Sequence, residues 1–190
     1  MNNNTVQALQ QFTQRYTQLW QTTFEHGPIS TQYHAIPSPC IVKTIDMTVY
    51  WQPVPIEPAL TLYIAESLIG IVIRPEIHQL FGSQFAADMR ATFDDMPVCL
   101  IQVWNEADFQ RLEKNQIAHL QMQKKLKRQP TLFIASVTNN DALISVNNVS
   151  GAVVYEDLIS GEQKILASSL NQFLAALIPD VLADSKALDK

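Results

Sequence analysis

The stretch from Thr131 to Leu158, TLFIASVTNNDALISVNNVSGAVVYEDL, constrains this chain more than any other. Thr131 to Val137 and Leu143 to Asn147 are rich in isoleucine, valine, phenylalanine and threonine, side chains that suit a pleated, half-buried surface. Between them Asn139-Asn140-Asp141 supplies residues that tolerate left-handed backbone, so the spacing predicts a hairpin. Asn147-Asn148 and Ser150-Gly151 then punctuate the chain before Ala152 to Tyr155, a third short run with β-branched residues. A three-stranded meander buries one face and needs helices to cover it, which predicts an α+β fold.

The remaining segments supply that cover. From Thr5 to Phe24 the residues Leu9, Phe12, Tyr16, Leu19, Trp20 and Phe24 share one helical face and glutamines fill the rest; Asn3, Asn4 or Thr5 can cap this helix and Gly27-Pro28 stops it. Ile36 to Pro55 carries β-rich runs from Cys40 to Ile45 and from Thr48 to Gln52 around Asp46-Met47, a second hairpin whose prolines confine it to short or edge strands. Ala59 to Leu80 reads as a helix, a break at Arg74-Pro75 and a second helical piece through His78 and Leu80, with Ile69 to Ile73 also readable as a strand. Gln84 to Phe93 alternates with period two, and Asp94-Asp95-Met96-Pro97 turns it back into a more apolar strand from Val98 to Trp104. Asn105 caps a long helix with Asp108 three residues on, and that helix ends in basic residues before Pro130. Ser168 or Ser169 caps a last helix with the apolar face Leu170, Phe173, Leu174, Leu177 and Ile178, closed by Pro179. The expected architecture is one domain over residues 1–179, a mostly antiparallel mixed sheet of hairpins and a C-terminal meander covered by several helices, followed by a polar tail over 180–190.

Composition narrows the function. A hydrophobic content of 47% with 16% charged residues belongs to a folded chain that needs no disulfide or metal staple. The N-terminus lacks the basic start and apolar core of a secretory signal, and no run approaches the ~20 apolar residues of a membrane span, so a soluble, cytoplasmic protein is expected. Cys40 and Cys99 fit no metal or redox spacing, His26, His34, His78 and His119 show no ligand pairing, and none of the five glycines forms a phosphate loop. No metal, cofactor or small-molecule substrate is therefore expected. A hydrolase built on Cys40 with His34 or His78 stays open, because such groups assemble in space rather than in sequence. The formal charge of −5 argues against nucleic acid.

The charge is unevenly placed. Between Gln84 and Phe109 five acids, Asp88, Asp94, Asp95, Glu106 and Asp108, face the single base Arg90, a net charge of −4. If the hairpin and the start of the long helix lie together, these carboxylates form an acidic surface for a basic partner, with Trp51 and Trp104 either anchoring that partner or packing in the core. Helix-dipole preference accounts for Glu106 and Asp108 without a partner, and turn chemistry for Asp94 and Asp95, leaving Asp88 as the acid with no local reason to be there. Lys124, Lys125, Lys127 and Arg128 likewise read either as dipole complement or as a contact for anionic lipid headgroups.

Pro37-Ser38-Pro39-Cys40-Ile41, Val49-Tyr50-Trp51-Gln52-Pro53, Gln84-Phe85-Ala86 with Asp88-Met89, Thr131-Leu132-Phe133-Ile134-Ala135 and Ile144-Ser145-Val146 through Ser150-Gly151 resemble the Syd family of SecY-interacting proteins. The likeness runs from about Ala8 to Leu177, with Ile56 to Tyr63 and Val153 to Leu166 divergent. It implies a SUKH-type α+β fold and a non-enzymatic role on the cytoplasmic face of the inner membrane. There an acidic concave surface would meet the basic cytosolic loops of SecY and monitor assembly of the translocon. Asp88, Glu106 and Asp108 are the acids carried over by matched motifs. SUKH-type folds also imply an alternative, an immunity protein that neutralises a toxin.

Overall fold

In the computed structural model, which describes residues 5–138 and 140–182, the glutamine-rich segment forms helix α1 (Thr5–Phe24) with the expected bounds. Leu9, Phe12, Tyr16 and Trp20 are buried and the glutamines face outward. The proposed caps Asn3 and Asn4 lie outside the described residues, while the Thr5 hydroxyl donates to Asn171 Oδ1 at 2.8 Å. The helix stops before Gly27-Pro28, at Glu25, whose φ of 62° leaves the helical path.

Strand β1 (Ile29–Ser30) joins the expected hairpin, β2 (Ile41–Ile45) and β3 (Thr48–Trp51), in an antiparallel sheet of order β1-β3-β2. Strand β4 (Val54–Pro55) follows, then α2 (Tyr63–Ile69) and α3 (Pro75–Gly82). Helix α2 is shorter than expected because Gly70, at φ 75°, ends it; residues 71–74 are irregular, so Ile69 to Ile73 is no strand. Pro75 opens α3, where a missing N–H leaves no bond unmade. The start of α2 has no side-chain cap of its own. Its amides are taken by distant groups: Leu62 N donates to His78 Nδ1 at 3.1 Å and Ala65 N to buried Glu113 at 3.0 Å.

The period-two segment divides. Strand β5 (Gln84–Phe85) pairs with β4 in a two-stranded sheet, and β6 (Met89–Phe93) forms the expected hairpin with β7 (Met96–Leu100). Asp94 and Asp95 occupy its two-residue turn with φ of 46° and 64°, the left-handed pair that matches strand twist. Then come α4 (Glu106–Lys125), β8 (Thr131–Val137), β9 (Ala142–Asn147), β10 (Val153–Asp157), β11 (Gln163–Ala167), α5 (Leu170–Ala176) and β12 (Ile178–Pro179). Seven strands form one sheet of order β11-β10-β9-β8-β7-β6-β12, and each of its pairings is antiparallel. The result is the α+β architecture expected from the sequence, with the meander at its heart.

Two strands extend that expectation. Beyond the meander, β11 adds an edge strand from the divergent segment, reached by a turn in which Asp157 Oδ1 accepts from the amides of Ile159 and Ser160. At the other edge Ile178 is not part of a helical face, because α5 ends at Ala176 and a residue before proline is driven to extended backbone. Ile178 pairs with Thr92 instead, and Pro179 sits where an edge strand tolerates it. Arg15 of α1 closes the α5 end by donating to the carbonyls of Leu177 at 2.9 Å and Leu174 at 3.2 Å. Of the tail, Asp180 N donates to Arg90 O and Val181 is buried; residues 183–190 lie outside the described residues.

Helix α4 is fastened to the sheet by polar groups that the hydrophobic pattern does not announce. Buried Glu156 of β10 accepts from Thr131 Oγ1 at 3.0 Å, Gln123 Nε2 at 3.2 Å and Gln163 Nε2 at 2.7 Å, with His119 Nε2 3.6 Å away. Burial alone would raise its pKa; the neighbouring His119, together with the hydrogen bond from Gln163, more than offsets this and holds the carboxyl below the ordinary glutamate range. A folded-state pKa below the unfolded value, about 4.3, contributes stability above that pH and loses it as pH falls through the folded value. The stability advantage of the native chain over Glu156→Gln, measured by urea titration, should therefore shrink below about pH 4, and a constant difference across that range would contradict this account.

Gly82 closes α3 against Leu60, whose backbone carbonyl occupies the space a Cβ would need and whose amide donates to Gly82 O at 3.0 Å. Gly82→Ala should cost about 2–3 kcal/mol of unfolding free energy; a urea midpoint matching that of the native chain would show that the backbone yields freely.

Candidate functional site

The site assembles where the irregular segment between β1 and β2 crosses the start of α4. Tyr33 from that segment stacks on Trp104 with ring centroids 4.5 Å apart and planes 20° from parallel. Trp104 is 0% and Trp51 2% exposed, and the two meet edge to face at 6.4 Å. Neither presents a surface to a partner: of the two readings, the packing one describes them, because the stacked and edge-on rings of Tyr33, Trp51 and Tyr16 surround them. The aromatic ring that lines the surface hollows here is the half-buried Tyr33, which the sequence reading passed over. It lies in a stretch without regular structure, where no periodicity marks it.

Asp88 has a local role after all. After Leu100 the ladder between β6 and β7 ends, and Gln102 N donates to Asp88 Oδ1 at 2.8 Å, so a side-chain carboxylate replaces the backbone acceptor. This is why the strand expected from Val98 to Trp104 closes at Leu100. Asp108 does the same one element on. The Asn105 side chain caps α4 by accepting from Asp108 N at 2.9 Å, and Asp108 Oδ2 reaches back to accept from Trp104 N at 2.9 Å.

These two acids come together around Tyr33. A concavity of about 130 Å³ is lined by Tyr33, Asp88, Arg90 and Cys99, and a neighbouring one of about 260 Å³ by Tyr33, Trp104, Asn105, Asp108 and Arg111. Burial, then the negative charges of Asp88 and Asp108, push the Tyr33 phenol well above the ordinary tyrosine range, so it stays neutral and keeps its proton. Each acid shares its hollow with an arginine, and Arg111, 72% exposed in its side chain, donates to Asp108 Oδ1. The arrangement is an aromatic floor with a carboxylate on each flank, suited to a guanidinium or ammonium group that competes with the resident arginines.

The other sequence candidates are placed elsewhere. Glu106 is exposed at the first position of α4, outside both linings. Asp94 lies at the tip of the β6–β7 hairpin, with the whole of β6 between it and Asp88, or roughly 20 Å. The acids of this stretch therefore do not form one continuous surface. Lys124, Lys125, Lys127 and Arg128 occupy the far end of α4. Cys40 is buried, and burial pushes its thiol up, away from the reactive thiolate; His34 is exposed and His78 is engaged with Leu62 and Glu66. Among the described residues no cluster of three or more histidine, cysteine, aspartate or glutamate side chains is placed to hold a metal ion.

The family model described as Syd protein (SUKH-2) matches residues 6–179. The chain belongs to the Syd family. It is similar to Protein Syd of Erwinia tasmaniensis, 43% identical over 182 residues that cover 96% of this chain and 98% of that one. Protein Syd of Pectobacterium carotovorum is 42% identical over 179 residues, covering 94% and 98%. Protein Syd of Escherichia coli O1:K1 is 43% identical over 179 residues, covering 94% and 99%. The Syd match includes both stretches that looked divergent, and it ends at Pro179, the second residue of β12.

Ionisation of Tyr33 tests the electrostatics of this Syd-family site. In an alkaline absorbance titration, Tyr33→Phe should remove a tyrosine that titrates above the ordinary value of about 10, and Asp88→Asn should move that group back down. Removal of a group that titrates at the ordinary value would refute the placement of both charges.

Proposed function

We propose that this Syd-family chain is a non-enzymatic docking protein that captures basic cytosolic loops of the SecY translocon in the hollow around Tyr33, and so monitors or regulates translocon assembly. The observation that carries this reading is the pairing of Asp88 and Asp108 about one half-buried aromatic ring that lines both hollows. An incoming arginine would stack on Tyr33 and take over the Asp108 oxygen now held by Arg111, which is exposed enough to swing away. Glu106, beside this hollow on α4, would add to the field that draws a basic loop in. Exposed pairs of this kind contribute about 0.2–1 kcal/mol each and weaken with salt, so they steer and orient the partner more than they hold it. Among the described residues no helix is long and apolar enough to cross a membrane. Attachment to the cytoplasmic face of the inner membrane would be peripheral.

Asp88 and Asp108 also accept backbone hydrogen bonds, so the isosteric changes Asp88→Asn and Asp108→Asn, which keep an acceptor oxygen and remove the charge, are the appropriate test. The double variant should sediment with SecY-containing membranes roughly two- to thirtyfold less well at low salt, in keeping with the loss of two ion pairs. Asp94→Asn, at the distant turn, should bind as the native chain does. Equal binding by all three proteins would eliminate the Tyr33 hollow as the docking site.

A further inference from the structure

Helix α4 ends in a run of bases, and the chain around that end exposes apolar side chains. The helix closes at Leu126, 48% exposed, and the chain then reverses through Lys127 at φ 55°, with Arg128 N donating to Gln123 O. Asn148 ties two further segments to this point. Its amide donates to Pro130 O at 2.9 Å, its side chain donates to Val72 O at 2.8 Å, and its Oδ1 accepts from Arg74 N. Val72 and Val149 are thereby held beside the helix end, 83% and 65% exposed. On the other side the Arg128 guanidinium lies over Gly161, which at φ 76° has no side chain to obstruct it, next to a turn whose Ile159 is 81% exposed.

The helix dipole accounts for bases at this end but gives no reason for four apolar side chains to stand in water around them. Of the acids nearby, Glu76 pairs with Arg74, while Asp157, Glu162 and Asp141 stand at the Ile159 turn on the Arg128 side, so the positive field of this end comes chiefly from Lys124, Lys125 and Lys127. Each apolar residue sits at a loop, a turn or the helix end. Exposed apolar side chains at loops and turns tied to this end of the helix, together with Lys124, Lys125, Lys127 and Arg128, complement a deformable, anionic surface. We propose that this end of α4 is a bilayer-docking face: the bases meet anionic phospholipid headgroups while Val72, Leu126, Val149 and Ile159 enter the interfacial layer. The face lies one helix length from Tyr33, roughly 30 Å, and acts without the partner captured there.

Sedimentation of the full chain with phosphatidylcholine vesicles, with and without phosphatidylglycerol, tests this. Binding should appear with the anionic lipid and weaken as salt is raised. The double variant Lys124→Gln, Lys127→Gln should lose about 30-fold in affinity, near fivefold for each charge. Val72→Ser with Ile159→Ser should also weaken binding to anionic vesicles, and all these exposed substitutions should keep the native urea midpoint. Asp88→Asn with Asp108→Asn should leave vesicle binding unchanged, which separates this face from the Tyr33 hollow. Absence of binding to anionic vesicles, or unaltered binding by the lysine variant, overturns the proposal. Loss of sedimentation by the lysine variant with native membranes alone, and not with lipid vesicles, overturns it in favour of an acidic protein partner.

Discussion

Trp104 holds together elements that have no other reason to meet. Its amide donates to Asp108, its carbonyl accepts from Ser38 Oγ at 2.5 Å, and its indole N–H donates to Ile36 O at 3.0 Å. One ring face carries Tyr33 and an edge meets Trp51. A side chain with no exposed area thus satisfies every polar group it buries while joining the end of the β7 extension, the start of α4 and the segment between β1 and β2. That segment, from Thr31 to Cys40, has no strand partner to fix it; Asn105 adds one more bond, donating from its side chain to Pro37 O. Tyr33 stands at the mouth of the site because Trp104 supplies the surface beneath it.

The features legible in the sequence are those whose causes are local. Asn105 and Ser169 cap their helices because a side chain of that length reaches the amide three residues on, whatever the rest of the fold does. Asp46 and Asp94-Asp95 turn hairpins because they tolerate left-handed backbone. The α1 face, the break at Arg74-Pro75 and the meander follow from periodicity and from proline in the same way. What was not legible depends on partners distant in sequence. Strand β12 exists because β6 offers it an edge, and Glu156 is buried because His119, Gln123 and Thr131 are there to receive it. A two-residue strand and a lone glutamate look like loop and surface when read alone.

Charge counting along the sequence was a partial guide to the site for a related reason. It grouped five acids that are close in the chain, and folding sorts them by the work each does. Asp94 and Asp95 make a turn at one end of β6, while Asp88 continues a hydrogen-bond ladder at the other. Tyr33, more than 50 residues upstream of Asp88, then proves to be the group that both Asp88 and Asp108 act upon. No window of local sequence contains those three side chains, so no local count could single them out.

The dual role of these two aspartates sets a limit on how their charge can be used. Each commits one carboxylate oxygen to a buried backbone amide, Gln102 N for Asp88 and Trp104 N for Asp108. The carboxylate is thereby fixed in place without the side-chain entropy that a free surface acid gives up when it pairs. Preorganisation favours specificity: a basic group that approaches at the wrong angle meets a carboxylate that cannot turn to greet it. It also means that neutralisation and truncation are different experiments at these positions. Truncation to alanine removes the acceptor of a buried amide and disturbs the fold around Trp104, whereas asparagine keeps the acceptor and removes the field alone. The charge of this hollow can be separated from its architecture only because the architecture depends on the oxygen and not on its charge.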